Sequence, residues 1–171
     1  MTRQKDDWYP TPHAAIKSLL DVEVFDPVIW EPAAGDGAIS KVLELACYEV
    51  VSQDLNDYGY CPAGHDFLMA TKREADCLVT NPPYKLAQQF IEHAIGLGVK
   101  KHAWLLRLSF LEGRGRFEEL FDNYPPSRIH VFSRRLTIWK GGEEPAGTGT
   151  TAYAWFVWNS NYNGVPQLGW I

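Results

Sequence analysis

An α/β fold, a mostly parallel sheet with helices packed over it, is predicted by three observations. Short apolar runs alternate along the chain with stretches of helical periodicity, the order expected when crossover helices join parallel strands. The 171 residues, 46% of them hydrophobic, are enough for one good core and too few for a catalytic domain plus a full second one. A glycine-bearing turn, Gly35-Asp36-Gly37, falls between a predicted strand and a predicted helix. The expected organisation is one domain over residues 1–171.

The elements follow in order. Thr11 to Asp21 reads as a helix, with Thr11 as its cap, Pro12 at the first helical position and an apolar stripe of Ile16, Leu19 and Leu20. Val28 to Trp30 is a short buried strand, Ala38 to Cys47 a helix, Glu49 to Asp54 a second strand and Cys77 to Thr80 a third. Lys85 to Leu97 is helical, with Phe90, Ala94 and Leu97 on one side; His102 to Phe110 is a strand. A helix from about Arg116 to Asn123 is stopped by Tyr124-Pro125-Pro126. Arg128 to Ser133 and Ala152 to Trp158 close the set as strands, expected to form an antiparallel edge. Gly, Pro, Glu and Thr dominate residues 140–151, which read as a mobile loop.

Charge and composition exclude some classes. The formal net charge of -5 counts against a nucleic-acid partner, yet Arg107, Arg114, Arg116, Arg128, Arg134, Arg135 and Lys140 gather in the second half and leave room for a local basic face. Cys47, Cys61 and Cys77 are odd in number and unpaired in spacing, so neither a disulfide framework nor a metal site is expected. No apolar stretch reaches the length of a membrane span and the N-terminus is charged, so a soluble protein with no membrane partner is expected inside the cell.

Two motifs carry chemistry. In Glu31-Pro32-Ala33-Ala34-Gly35-Asp36-Gly37 the glycines let the backbone approach a ligand, and the helix start behind them presents N–H groups and a positive dipole end. Ser40 stands where a dinucleotide fingerprint needs its third glycine, which disfavours a bound pyrophosphate. About twenty residues on, Asp54 ends the second strand where an acidic side chain accepts hydrogen bonds from ribose hydroxyls; Asp57 competes for that role. The second motif, Asn81-Pro82-Pro83-Tyr84, directly follows an apolar strand. The Asn81 side-chain oxygen and the Pro82 carbonyl are two acceptors held stiff by the proline pair, suited to an amino group conjugated to a ring. Tyr84 offers a ring face to a planar partner. The plain alternative is a loop starter.

With these motifs the chain resembles the N6-adenine DNA methyltransferases, in particular short phage-encoded members without a separate target-recognition domain. Tyr9-Pro10-Thr11-Pro12 matches that family's upstream cofactor segment, Glu31 to Gly37 its glycine motif and Asn81 to Tyr84 its catalytic tetrapeptide, in the family's order. The resemblance implies a Rossmann-like methyltransferase fold: a central, mostly parallel seven-stranded sheet with one antiparallel strand and helices on both faces. It implies S-adenosyl-L-methionine as cofactor, held by Tyr9, Pro10, Thr11, Glu31, Pro32, Ala33, Gly35, Gly37, Asp54 and Asn81. His65-Asp66-Phe67 occupies the place of the third cofactor motif, with Asp66 on the cofactor's adenine and Phe67 packed against its ring; an Asp before a buried Phe is also a common turn. Asn81, Pro82, Pro83 and Tyr84 would be catalytic, acting without a metal on a base flipped out of DNA.

The later aromatics, Tyr153 to Trp158, read as core. Arg107, ending an apolar strand, is expected in a buried salt bridge ahead of a DNA contact. Arg134, Arg135, Trp139 and Lys140 are the candidates for touching DNA, against the alternative of a solvated basic edge. With no recognition domain, a short or degenerate target, or a homodimer or helper subunit, is expected. A phage origin would put the protein in the bacterial cytoplasm, in a restriction-modification setting. Enzymes methylating RNA bases or a protein glutamine amide share the tetrapeptide, and a non-catalytic DNA-binding partner of the same fold is a further alternative. A dehydrogenase is argued against by Ser40 and by the tetrapeptide.

Overall fold

A computed structural model describes residues 10–136, 138 and 151–171; Tyr9, Trp139, Lys140 and the rest of the expected loop up to 150 lie outside the described residues. The strands are β1 (Val28–Glu31), β2 (Glu49–Ser52), β3 (Cys77–Thr80), β4 (Lys101–Arg107), β5 (Arg128–Val131), β6 (Tyr153–Asn159) and β7 (Gln167–Trp170). They form one sheet in the order β2-β1-β3-β4-β6-β5-β7. β2, β1, β3 and β4 are parallel; β6 is antiparallel to both β4 and β5, so β5, and β7 parallel to it, run with the first four. This is the expected mixed α/β sheet with a single antiparallel strand.

Two details differ from expectation. β6 lies inside the sheet, between β4 and β5, instead of at an antiparallel edge. Its side chains from Tyr153 to Trp158 are all buried, so the unbroken apolar run marks a strand covered on both faces. The edge is instead β7, whose Leu168 and Trp170 are exposed and whose sequence carries no strand-like alternation of burial.

The helices are α1 (His13–Val22), α2 (Ala38–Leu45), α3 (Ala87–Gly96) and a single turn α4 (Arg114–Arg116) that runs on as a π-helical stretch, Phe117–Phe121. On one face Ile16 and Leu19 of α1 and Ile39, Val42 and Leu43 of α2 pack on Ile29, Val79, Leu105, Trp155 and Val157. On the other, Phe90, Ile91 and Ala94 of α3, with Leu120, pack on Trp30, Leu78, Trp104, Leu106 and Phe156. Alternate residues of each strand thus feed opposite cores, as a sheet buried on both sides requires. The buried indoles stay satisfied: Trp155 Nε1 donates to the Ala15 carbonyl at 2.9 Å and Trp158 Nε1 to that of Tyr124 at 2.8 Å.

At the edge of the sheet where β4 and β5 begin, the buried Glu23 collects Lys101 Nζ at 2.6 Å, His130 Nε2 at 2.8 Å and the Arg128 guanidinium. Burial alone would raise its pKa; hydrogen bonds from His130, Arg128 and Lys101 outweigh that and hold the carboxyl well below the usual carboxylate range. This cluster ties α1 to the sheet at the edge opposite the strand C-termini. The loops after β1, β2, β3, β4 and β5 all emerge at the other edge, where open parallel sheets collect ligands.

Candidate active site

Gly35 and Gly37 both hold positive φ, 56° and 79°. A methyl built on Gly37 would lie 2.5 Å from the Tyr60 ring, so side-chain-bearing residues are barred there by space as well as by backbone conformation. Asp54 ties this turn to the end of β2: its Oδ2 accepts from Gly35 N at 2.9 Å and its Oδ1 from Asn56 N at 2.8 Å. Asp36 Oδ1 accepts from Ala38 N at 3.2 Å at the start of α2.

A cleft of about 280 Å³ opens above the turn. It brings together Pro10, Thr11, Glu31, Pro32, Ala33, Gly35, Asp54, Asp66, Phe67, Asn81, Pro82 and Pro83 from the residues singled out in the sequence. Gly37 stands behind it, filled in by Tyr60, and Asp57 is outside it, accepting from Gly59 N at 2.9 Å. Of Asp54 and Asp57, it is therefore Asp54 that faces the cleft. Asn56, Tyr58, Ile39, Leu86 and Phe90 also line it. Sequence reasoning missed the first two because they stand in an irregular loop without a motif, and the last because α3 periodicity accounts for it as core.

Glu31 is the most unusual group of the cleft. It is 1% exposed, and its carboxylate is bound by the Ser40 hydroxyl, itself 2.7 Å from that of Ser52. Burial raises its pKa well above the carboxylate range despite that hydrogen bond, and Asp54 and Asp36 add to the rise. Ser40, which breaks the dinucleotide pattern, thus has a positive role in holding Glu31. Asp66 Oδ1 accepts from Leu68 N at 3.0 Å, capping the 3₁₀ turn Phe67–Met69, so the turn and the cleft share this residue. The Phe67 ring, 4% exposed, packs edge-on to Trp30 at 5.0 Å and against Phe90 at 4.8 Å.

Thr11 departs from its expected role. The N-cap of α1 is Pro12, with no side-chain cap; Thr11 is buried, and its Oγ1 accepts from Asn81 Nδ2 at 3.1 Å. Residues 70 positions apart in sequence are joined here through the Asn81 amide. Pro82 is buried behind it.

Tyr84 turns away from this cleft to line a second recess of about 200 Å³ with Ala87, Leu106, Arg107, Ser109, Phe110 and Arg116. Its ring lies 6.0 Å from that of Tyr153 and 5.0 Å from the Arg107 guanidinium. Burial, then Tyr153, push its phenol far above the usual range, so the hydroxyl stays protonated. The Asn81–Tyr84 turn is thus the wall between two recesses. Arg107 corrects an expectation: it is exposed, stacks on Tyr84 and forms no salt bridge among the described residues, because it is the last residue of β4, where the strand leaves the core. Arg134 and Arg135 are exposed just beyond β5, on the same edge of the sheet. Among the described residues, no cluster of His, Cys, Asp and Glu is arranged to hold a metal, and no helix is long and apolar enough to cross a membrane.

The architecture is the Rossmann-like fold of methyltransferases. Over 96% of its length the chain matches a modification subunit of a putative type I restriction enzyme from Vibrio vulnificus YJ016, with TM-score 0.63 and 14% identity; it spans 47% of that subunit. A putative RNA methyltransferase from Pyrococcus horikoshii is similar over 92% of this chain and 90% of its own, with TM-score 0.63 and 17% identity. The magnesium protoporphyrin IX methyltransferase of Synechocystis PCC 6803, solved with bound SAM, matches 86% of this chain and 79% of its own at TM-score 0.56 and 13% identity. No known family profile matches the sequence, and no curated protein does.

Proposed function

We propose that the chain is an S-adenosylmethionine-dependent methyltransferase that modifies the exocyclic N6 amino group of adenine in DNA. The observation that carries the reading is the Asn81–Tyr84 turn, anchored through Asn81 to Thr11 and standing between an acidic cleft and an aromatic recess.

The residues of the cleft fit the cofactor. Glu31 is a buried acceptor suited to an ammonium, the start of α2 at Ala38 and Ile39 faces the cleft as a partner for a carboxylate, Asp54 is placed for ribose hydroxyls, and Phe67, Pro83, Leu86 and Phe90 give an apolar wall for a purine. The bound cofactor supplies a methyl group on a sulfonium, an electrophile open to direct displacement. The task left to the protein is to make a poor nucleophile available, because the lone pair of the adenine amino group is delocalised into the ring. Asn81 Oδ1 and the Pro82 carbonyl accept its two hydrogens and draw the nitrogen toward tetrahedral geometry. The proline pair keeps those acceptors aimed, and Tyr84 stacks on the extruded base. The surplus proton leaves to water after transfer.

Arg134, Arg135, Trp139 and Lys140 would meet the DNA backbone, with a short or degenerate target sequence. The test supplies labelled S-adenosylmethionine with DNA, RNA and protein in parallel and identifies the product after digestion. N6-methyladenine from DNA is expected; label confined to RNA or to a glutamine amide would replace this reading with another use of the same turn.

A further inference from the structure

The second recess holds two guanidinium groups that no carboxylate among the described residues neutralises. Among the described residues neither Arg107 nor Arg116 has an acidic partner, whereas nearby Arg114 pairs with Glu118 at 2.7 Å. Arg107 is held over the Tyr84 ring at 5.0 Å, at the exposed end of β4. Arg116 is held more firmly: its Nη1 donates to the Phe110 carbonyl at 2.8 Å and to that of Glu112 at 2.6 Å, and its guanidinium lies 4.2 Å from the centre of the Phe110 ring. Its Nε is buried with no hydrogen-bond partner among the described residues. An unmatched charge with an unused donor costs free energy unless an anion completes it. The carbonyl contacts orient the fork without neutralising it, which is how a preorganised anion site is built. The Ser109 side chain borders the same recess.

We infer that Arg107 and Arg116 form a phosphate subsite beside Tyr84, gripping the phosphodiester next to the flipped adenine so that the enzyme recognises a nucleotide within a strand and not a free base. The inference rests on the reading of the site as a DNA methyltransferase. Stacking on Tyr84 alone would accept any planar base. The paired guanidinium groups at the rim of the same recess add a requirement for the backbone that carries it, and they set where the sugar stands relative to Asn81.

The experiment uses the full chain with an oligonucleotide containing the target adenine, and replaces single phosphates around it by uncharged methylphosphonates. In the wild type, neutralising one flanking phosphate should raise KM by about tenfold. It should also reduce the slope of log K against log salt by about 0.7 to 0.9, the contribution of one phosphate contact. Arg107→Gln, at an exposed position, should show part of that loss with the unmodified oligonucleotide and a smaller further loss with the methylphosphonate than the wild type shows, because Arg116 still holds the phosphate. Arg116→Lys keeps the charge without the fork and should give a smaller loss. Arg114→Gln, already ion-paired, should behave as wild type. Cofactor affinity should stay unchanged in all three variants. Additive losses from Arg107→Gln and the methylphosphonate, or an unchanged salt slope, would overturn the subsite. Phosphonate-sensitive, Arg107-dependent binding without methyl transfer to DNA would instead refute the functional reading and leave the subsite standing.

Discussion

The two recesses flanking the Asn81–Tyr84 turn have opposite electrostatic character. Among the described residues, Glu31, Asp36, Asp54 and Asp66 line the first with no Lys or Arg, whereas Arg107 and Arg116 line the second with no carboxylate. A whole-chain net charge of -5 conceals this, since it averages an acidic recess with a basic one. The contrast teaches that the charge deciding a partner is local. It also separates the effects of substitutions: changes in the first recess should act on the cofactor, changes in the second on DNA.

The largest effect that sharpens this separation is expected from Glu31→Gln. Losing the acceptor for an ammonium should weaken S-adenosylmethionine by about ten- to a hundredfold while DNA affinity holds, as titration calorimetry with each ligand would read. Because burial raises the Glu31 pKa, its carboxyl must ionise when a cation binds beside it. Cofactor binding in the wild type should therefore release a proton and strengthen as pH rises, and the release should vanish in Glu31→Gln. Equal weakening of both ligands would break the division.

Thr11→Val comes next. It keeps the shape but removes the acceptor of the Asn81 amide, so kcat should fall by about five- to tenfold with cofactor affinity retained, and Thr11→Ser should restore it. An unchanged kcat would remove Thr11 from the catalytic account. Gly37→Ala should destabilise the fold by about 1 kcal/mol or more, read by chemical denaturation, since the new methyl meets the Tyr60 ring in a left-handed backbone.

The effects with no bearing on either ligand concern the sheet away from both recesses. His102 is buried with its Nδ1 accepting from Trp104 Nε1 at 2.6 Å, and burial pushes its pKa down to about 3. The unfolded chain, with a histidine near pH 6.5, binds a proton that the folded chain refuses. Stability should thus be full above about pH 6.5 and decline toward pH 3, by at most about 1.4 kcal/mol per unit for this one group. Glu23, depressed against the opposing effect of burial by its hydrogen bonds with His130, Arg128 and Lys101, adds a further loss below about pH 4.5. Denaturation midpoints independent of pH between 7 and 4 would contradict the His102 assignment, and midpoints that do not fall further below pH 4.5 would contradict that of Glu23.

Much of this was legible in the sequence, because the strongest signals were local. Apolar runs and capping breaks located six of the seven strands, and the two motifs placed the strand ends that face the cleft. β7 was not legible: Gln167-Leu168-Gly169-Trp170 is exposed, and only its pairing to β5 makes it a strand. The position of β6 was written in its six consecutive buried residues, but alternation of strand and helix says nothing about insertion order. The Thr11 to Asn81 bond and the Arg107 stack on Tyr84 join residues distant in the chain, so the local rules that suggested a cap and a salt bridge failed there. Ser40 was legible only as an absent glycine until its contact with Glu31 was seen.

The central claim is that the Asn81 amide prepares the acceptor nitrogen and does little for binding. Single-turnover transfer by Asn81→Ala, with cofactor and DNA both saturating, tests it most directly. The rate should fall by about 100- to 1000-fold while the dissociation constants of both ligands stay within a few-fold of wild type. Transfer that persists at the wild-type rate would contradict the account.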